Sequence, residues 1–399
     1  MLSIPEIVAL LIGAVVVAVI ARWVRVSYTV ALLVMGLVLG ASSLAPVPTL
    51  SADVILLLFL PPLIFEASFV MDLRHLWDLR RAVLTLAVPG VLLAMVVGGA
   101  LVHWGLGLPW VIALLFGAMI AATDPVAVLA TFRELRVDPR LSLILEGESL
   151  LNDGVALVLF VTLAAAVTAP IAAGEALVTL VVAIVGGIVI GVAVGGIGHL
   201  LIASVDDHFT EMTVSVATAY GAFLAAEHLE ASGVLATIAA GMTLGALGRQ
   251  RGWAFSGGSA QVLIDLWAFL AFVANAALFL LVGLTDRAAG LTEYPHAVFV
   301  GILAALLGRA ITAYGLGAAL DHTGFAISLV ERHVLFWGGL RGAVALAAAL
   351  SLPVDFPYRL QLLAMTYGAV LFTLLVQGLT IAPLVRALRI PRARASEVS

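Results

Sequence analysis

Asn152 and Asp153 stand side by side in the apolar run 141–168, which also carries Glu146, Glu148 and Ser149. An ionised carboxylate near the centre of a bilayer costs at least about 2.5–3.5 kcal/mol. Three of them in one segment of spanning length therefore imply a use, and the usual use is a path for cations or protons. On a helix Ser149 and Asp153 are four residues apart and share a face. Glu146 lies on that face two turns before Asp153. Glu148 and Asn152 form a second such pair, turned by about 100° from the first. One face thus offers a carboxylate and a hydroxyl to an ion, and its neighbour offers a carboxylate to another partner.

Two other apolar runs are interrupted. In FGAMIAATDPVAVLATF, Pro125 has no N–H for the carbonyl of Ala121, and its ring clashes there. It also drives Asp124 away from helical geometry. The helix is expected to unwind at Thr123 and Asp124 and to restart with Pro125 at its first position. In FWGGLRGAVALAAAL, Gly338, Gly339 and Gly342 weaken the helix around Arg341. Broken helices expose free carbonyls and half-helix ends, which are tolerated at membrane depth only beside protein or a watery cavity. Corresponding breaks in two halves of a chain point to an inverted-repeat transporter with its site at the breaks. Arg309, within ALLGRAITAY, needs an acidic partner at that depth. Glu148 is the first choice; the rival pairing joins Arg341 to Glu148 or Asp153. Glu66, in LPPLIFEASF, reads equally as an interfacial carboxylate. Asp265, Asp286, Glu211 and Glu227 fall near span ends and are expected to be solvated.

The elements that must carry these residues follow from composition. The 399 residues are 63% hydrophobic and only 11% charged, against about 25% charged in soluble proteins. Runs of roughly 20 apolar residues recur from end to end. The reading is an all-α polytopic membrane protein. Continuous runs of this kind exclude the alternating ten-residue strands of a membrane β-barrel. Thirteen spans are expected, at 5–22, 28–42, 52–68, 82–104, 109–132, 141–168, 175–203, 210–227, 232–248, 260–284, 296–319, 327–351 and 359–387. The N-terminus is apolar from Ile7 without a basic leader region and reads as the first span rather than a signal peptide. All 19 basic residues are Arg. With the N-terminus outside, fifteen fall in inward loops and the tail, and only Arg287 and Arg359 in outward ones. The positive-inside rule then sets the topology as N-out and C-in.

Several function classes drop out. Without Cys there is no thiol chemistry or disulfide, and without Lys no Schiff base. No His spacing suits a transition metal. No run is long enough for a soluble domain, so the chain is not expected to be an enzyme or to bind nucleic acid. Glycines 186, 187, 191, 195, 196 and 198 in the seventh span are small enough for close helix packing, within the bundle first and at a dimer contact second.

The motifs ATDPVAV, EGESLLNDGVA and WGGLRGAVALA, supported by LPPLIFEA and GRA, resemble the monovalent cation:proton antiporters. The likeness is to the electroneutral sodium/proton exchanger branch, which includes bacterial NhaP-type proteins and animal NHE exchangers. It runs over the whole chain. The inverted-repeat rule itself draws on sodium/proton antiporters, so rule and resemblance are not independent. The resemblance implies that Asp153 is the central carrier of cation and proton, with Asn152 beside it and Asp124 and Thr123 at the crossing of the two broken helices. Thr123, Ser149 and Glu66 would help to coordinate Na⁺ with Asp153 and Asp124, Glu148 would pair with Arg309, and Arg341 would serve as a half-helix charge. An Asn where the electrogenic branch has a second Asp implies one-for-one exchange. The implied fold is two inverted six-helix repeats, 5–168 and 210–387, joined by a linking helix at 175–203. A short basic cytoplasmic tail follows at 388–399, without the large tail of some relatives, which fits a prokaryotic inner-membrane protein. The implied assembly is a homodimer, with no cofactor beyond transported Na⁺ and H⁺. A K⁺/H⁺ antiporter is the nearest alternative. A cation channel is a more distant one, since a channel usually rings its pore with equivalent residues. A proton-coupled carrier of organic solutes would need a larger, aromatic-lined pocket, and the two acidic motifs contain no aromatic residue.

Overall fold

The computed structural model describes residues 28–42, 52–168, 173–250, 259–284 and 290–390, with scattered residues between 12 and 23. Among the described residues the fold is all-helical. The expected first span, 5–22, and the tail, 388–399, lie largely outside the described residues, as does Asp286. Among the described residues seven helices are long and apolar enough to cross a membrane, and two shorter apolar helices, Leu56–Val70 and Gly233–Arg249, accompany them. Helical hydrogen bonding satisfies each backbone group within its own segment, which the bilayer interior requires.

In chain order the helices are α1 (Tyr28–Ser42), α2 (Ala52–Val70), α3 (Leu73–Asp78), α4 (Arg80–Leu106), α5 (Trp110–Ala121), α6 (Val126–Leu135), α7 (Pro139–Thr168), α8 (Ala173–Ile202), α9 (His208–His228), α10 (Gly233–Gln250) and α11 (Ser259–Leu284). There follow α12 (Pro295–Asp321), α13 (Leu329–Trp337), α14 (Ala343–Ser351) and α15 (Arg359–Ala387). The expected span at 109–132 is the pair α5 and α6, and that at 327–351 is the pair α13 and α14. Two helices contain a π-helical stretch, Ile311–Leu316 in α12 and Thr373–Gly378 in α15.

Polar side chains set the helix starts where the chain turns between spans. The Asp72 carboxylate accepts from the Arg74 amide at the start of α3, and Asp207 accepts from Thr210 at the start of α9. Ser328 and Glu331 form a reciprocal capping box on α13. The phase set by Asp207 turns Glu211, Ser215, Thr218 and Ala222 into the bundle at helical spacing. Glu211 is therefore fully buried, with His208 4.0 Å away, contrary to its expected solvation. Asp265 and Glu227 are exposed as expected.

The glycines of α8 pack it against α10. A Cβ placed on Gly187 would lie 2.7 Å from the Ser232 carbonyl, one on Gly191 would lie 2.2 Å from that of Ala236, and one on Gly195 would lie 2.7 Å from that of Ala240. Backbone meets backbone along this seam, as small residues permit. A neighbouring face of α8 exposes Val181, Val185, Ile188 and Val192, an apolar surface of the kind lipid covers. Replacing Gly191 by Leu forces the two helices apart and is expected to destabilise the protein by about 1–3 kcal/mol. Gly196 faces open space, so Gly196→Leu serves as the control. Thermal unfolding in detergent checks the difference, and equal midpoints for the two variants would contradict the seam.

Candidate functional site

The two helix breaks meet. Residues 122–125 leave the helix between α5 and α6, where Pro125 denies a bond to the preceding turn. Helical bonding resumes at Pro125, whose carbonyl accepts from Leu129 at 2.7 Å. Residues 338–342 separate α13 from α14 in the same way. The Asp124 amide donates to the Leu340 carbonyl across the crossing, at 2.8 Å. The contact is close because Gly342 has no side chain: a Cβ there would lie 2.2 Å from the Cβ of Asp124.

Each break leaves partial charge at its half-helix ends, positive at an N-terminus and negative at a C-terminus. The Asp124 carboxylate accepts from the amides of Val126, at 3.0 Å, and Ala343, the first residues of α6 and α14. One carboxylate thus sits at both N-termini. Arg341 donates to the carbonyls of Ala121, at 2.9 Å, and Ala122, at 3.0 Å, at the C-terminus of α5. A third bond reaches the Ala305 carbonyl at 3.1 Å. Its backbone amide is held by Thr373 in the π-helical turn of α15. The guanidinium is therefore bound by backbone, and the rival pairing of Arg341 with Glu148 or Asp153 is not the arrangement found. Arg309 treats α13 similarly, donating through Nε to the Leu335 carbonyl at 2.9 Å.

Glu148 and Arg309 are brought together as a bidentate pair, Nη1 to Oε1 and Nη2 to Oε2, with side-chain exposures of only 1% and 5%. Gly339 makes room for it, since a Cβ there would strike the Arg309 side chain. Such a pair is weak evidence of net stabilisation, yet removing one member strands the other charge.

Helix α7 divides its polar residues between two faces. On the Glu148 face, the Asn152 amide clamps the unwound segment: Nδ2 donates to Thr123 Oγ1 at 2.8 Å, and Oδ1 accepts from the Thr123 amide at 3.3 Å. On the other face, Ser149 Oγ lies 2.7 Å from Thr123 Oγ1, and Asp153 lines a cavity of about 310 Å³. Glu66 of α2, Asp124 of the first break and Glu146, Ser149 and Asp153 of α7 all border this cavity, as do Arg133 and Asn275. Asp153 Oδ1 is buried and accepts no hydrogen bond among the described residues. The chemistry this arrangement allows is capture of a small cation by hard oxygen ligands, or of a proton by a carboxylate. No cluster of three or more His, Asp or Glu suits a resident metal among the described residues.

Sequence reasoning missed three participants. Thr373 is one of many hydroxyls in an apolar run. Arg133 was counted only as an inward-loop charge. Asn275 carries a signal in the sequence, a lone amide in LWAFLAFVANAALFLL.

Truncating Glu148 to Ala is expected to cost about 3–5 kcal/mol by leaving Arg309 buried without its carboxylate. Replacing both residues by Leu should recover part of that loss. Unfolding of the purified variants measures both, and a Glu148→Ala protein as stable as the parent would show that the pair is not a structural constraint.

The family model described as sodium/hydrogen exchanger, transmembrane, matches residues 7–387. The Na⁺/H⁺ antiporter ApNhaP of Aphanothece halophytica is 39% identical over 370 residues, which span 91% of this chain and 70% of that protein. The Na⁺/H⁺ antiporter NhaH of Halobacillus aidingensis is 34% identical over 398 residues, 96% of this chain and 97% of that one. The solved sodium proton antiporter MjNhaP1 from Methanocaldococcus jannaschii superposes with a TM-score of 0.81 at 20% identity, covering 96% of this chain and 98% of that chain. That last likeness is one of fold.

Proposed function

This chain belongs to the transmembrane sodium/hydrogen exchanger family, and we propose that it exchanges Na⁺, or Li⁺, for H⁺ across the membrane by letting the two compete for Asp153. The observation that carries the reading is the position of Asp153. It borders the cavity where the two breaks cross, beside Ser149 and Asp124, with one buried carboxylate oxygen that accepts no hydrogen bond among the described residues.

A dehydrated Na⁺ takes oxygen ligands, typically about six in protein sites for hard cations of similar size. Asp153, Asp124, Ser149 and Glu66 supply such oxygens, and Thr123 holds the Ser149 hydroxyl in place. Asn152 stabilises the unwound strand on the other face and contributes no charge. Burial penalises a bare carboxylate, so Asp153 is neutralised by one proton or one cation, and each displaces the other. The loaded bundle then crosses by rocking of one group of helices against another around the site.

With Asn rather than a second Asp beside it, the carrier moves one charge in each direction. Such a cycle does no net electrical work, whereas one uncompensated charge involves about 2.3 kcal/mol per 100 mV. Arg309 and Glu148 hold the bundle together, and Arg341 neutralises the end of α5. The organisation that fits is two inverted repeats, 5–168 and 210–387, linked by 175–203, in a homodimer with N-out, C-in topology. The Arg distribution supports that orientation.

Two measurements in proteoliposomes test this. A Na⁺ gradient should drive proton movement in the parent and none in Asp153→Asn; substantial exchange in that variant would overturn the assignment. An imposed membrane potential should leave the rate nearly unchanged, and a rate that follows the potential would refute one-for-one stoichiometry. Running the same assay with K⁺ separates the Na⁺ reading from a K⁺/H⁺ antiporter.

A further inference from the structure

We propose that the side-chain oxygen of Asn275 is a cation ligand of the transport site, acting on the cation and not on the proton arm of exchange. This rests on the antiport reading above and names a further residue for it.

Asn275 sits deep in α11, a helix that packs on α1, α2 and α14. Ala271, one helical turn earlier, borders the cavity with it, so this face of α11 forms a wall of the chamber that Asp153 also borders. Phe272, on another face, stacks on Tyr28 of α1 at 4.6 Å between ring centroids, which fixes the rotation of α11. A carboxamide within an apolar helix ordinarily serves as packing glue, giving its oxygen to a neighbouring donor. Asn275 does not follow that pattern: its Oδ1 is buried and accepts no hydrogen bond among the described residues. Leaving such an oxygen without a donor costs free energy, so its presence here implies a part-time partner.

Asp153 Oδ1 is in the same condition and borders the same chamber. Two buried oxygens that accept no hydrogen bond among the described residues, from different helices, on one small cavity, are what a hard cation collects. A proton needs only one of them. A carboxamide oxygen binds a cation through its dipole but does not take up a proton near neutral pH. The titratable and charged groups that share the cavity with Asn275 are Glu66, Asp124, Arg133, Glu146 and Asp153. The proton arm belongs among them, and Asn275 adds affinity and selectivity for the cation alone.

The test is Asn275→Ala in proteoliposomes, with Na⁺- and Li⁺-driven proton flux followed across pH. The apparent KM for Na⁺ should rise about tenfold, the scale seen when a metal site loses a supporting partner. The maximal rate should stay near that of the parent, and the pH midpoint at saturating Na⁺ should not move. A merely structural role would lower the maximal rate and leave KM in place. Unchanged KM for both cations, or a moved pH midpoint with unchanged KM, would overturn the proposal. Should the alanine variant fail to fold, Asn275→Gln decides, since it displaces the same oxygen by one methylene. A weakened Na⁺ affinity at an unmoved pH midpoint supports the assignment, and an unaltered affinity overturns it. Absence of Na⁺-driven proton flux in the parent would instead refute the antiport reading beneath it.

Discussion

Two helices broken at mid-bundle leave four half-helix ends whose amides and carbonyls have no partner within their own helices. The structure depends on how those ends are neutralised. Asp124 lies at both N-termini, through the amides of Val126 and Ala343. Arg341 closes the C-terminus of α5, and Arg309 closes that of α13. Three charged side chains thus hold four backbone ends, each with the sign opposite to the helix end it faces. The crossing exists because these compensations exist. Without them, unwound backbone at this depth would be left with unsatisfied polar groups.

The same requirement explains the chemistry of α7. Once Arg309 is committed to the break it needs a counter-charge, and Glu148 provides it. Asn152, one turn on from Glu148, holds Thr123 in the unwound segment. That face of α7 is occupied with structure. The other face, carrying Ser149 and Asp153, is left to the cavity. A rigid, charge-balanced crossing on one side and a carboxylate oxygen without a donor on the other is an arrangement in which a single ion can bind and leave without unfolding anything. The π-helical turns in α12 and α15 lie near this crossing, one just after Arg309 and the other supplying Thr373 to Arg341.

Much of this was legible in the residues because a membrane magnifies the consequences of polarity. Arg309 needs a buried acid, and Glu148 is the carboxylate of the sixth expected span turned away from the expected ion path. Pro125 after Thr123-Asp124, and glycines around Arg341, announced both breaks through backbone chemistry alone. The i,i+4 pairs of α7 separate the face that holds Arg309 and Thr123 from the face that borders the cavity. What stayed hidden lay in groups that carry no sequence signature. Arg341 has carboxylates as its obvious partners in the sequence, yet it binds main-chain carbonyls, two at the break before Pro125 and one in α12, and such carbonyls are identical in every residue. Glu211 was read as solvated from its place near a span end, but its burial depends on the phase that Asp207 imposes on α9. Asn275 was one amide among apolar residues, and only the cavity shows which way it matters.

The central claim is that one proton and one cation compete for Asp153. Its most direct measurement is proton release on cation binding, followed in weakly buffered detergent solution as Na⁺ is added to the purified protein. Competition predicts that Na⁺ binding liberates protons, that its apparent affinity weakens as pH falls, and that Asp153→Asn abolishes the release. Na⁺ binding with an affinity independent of pH and with no proton release at any pH would contradict the account.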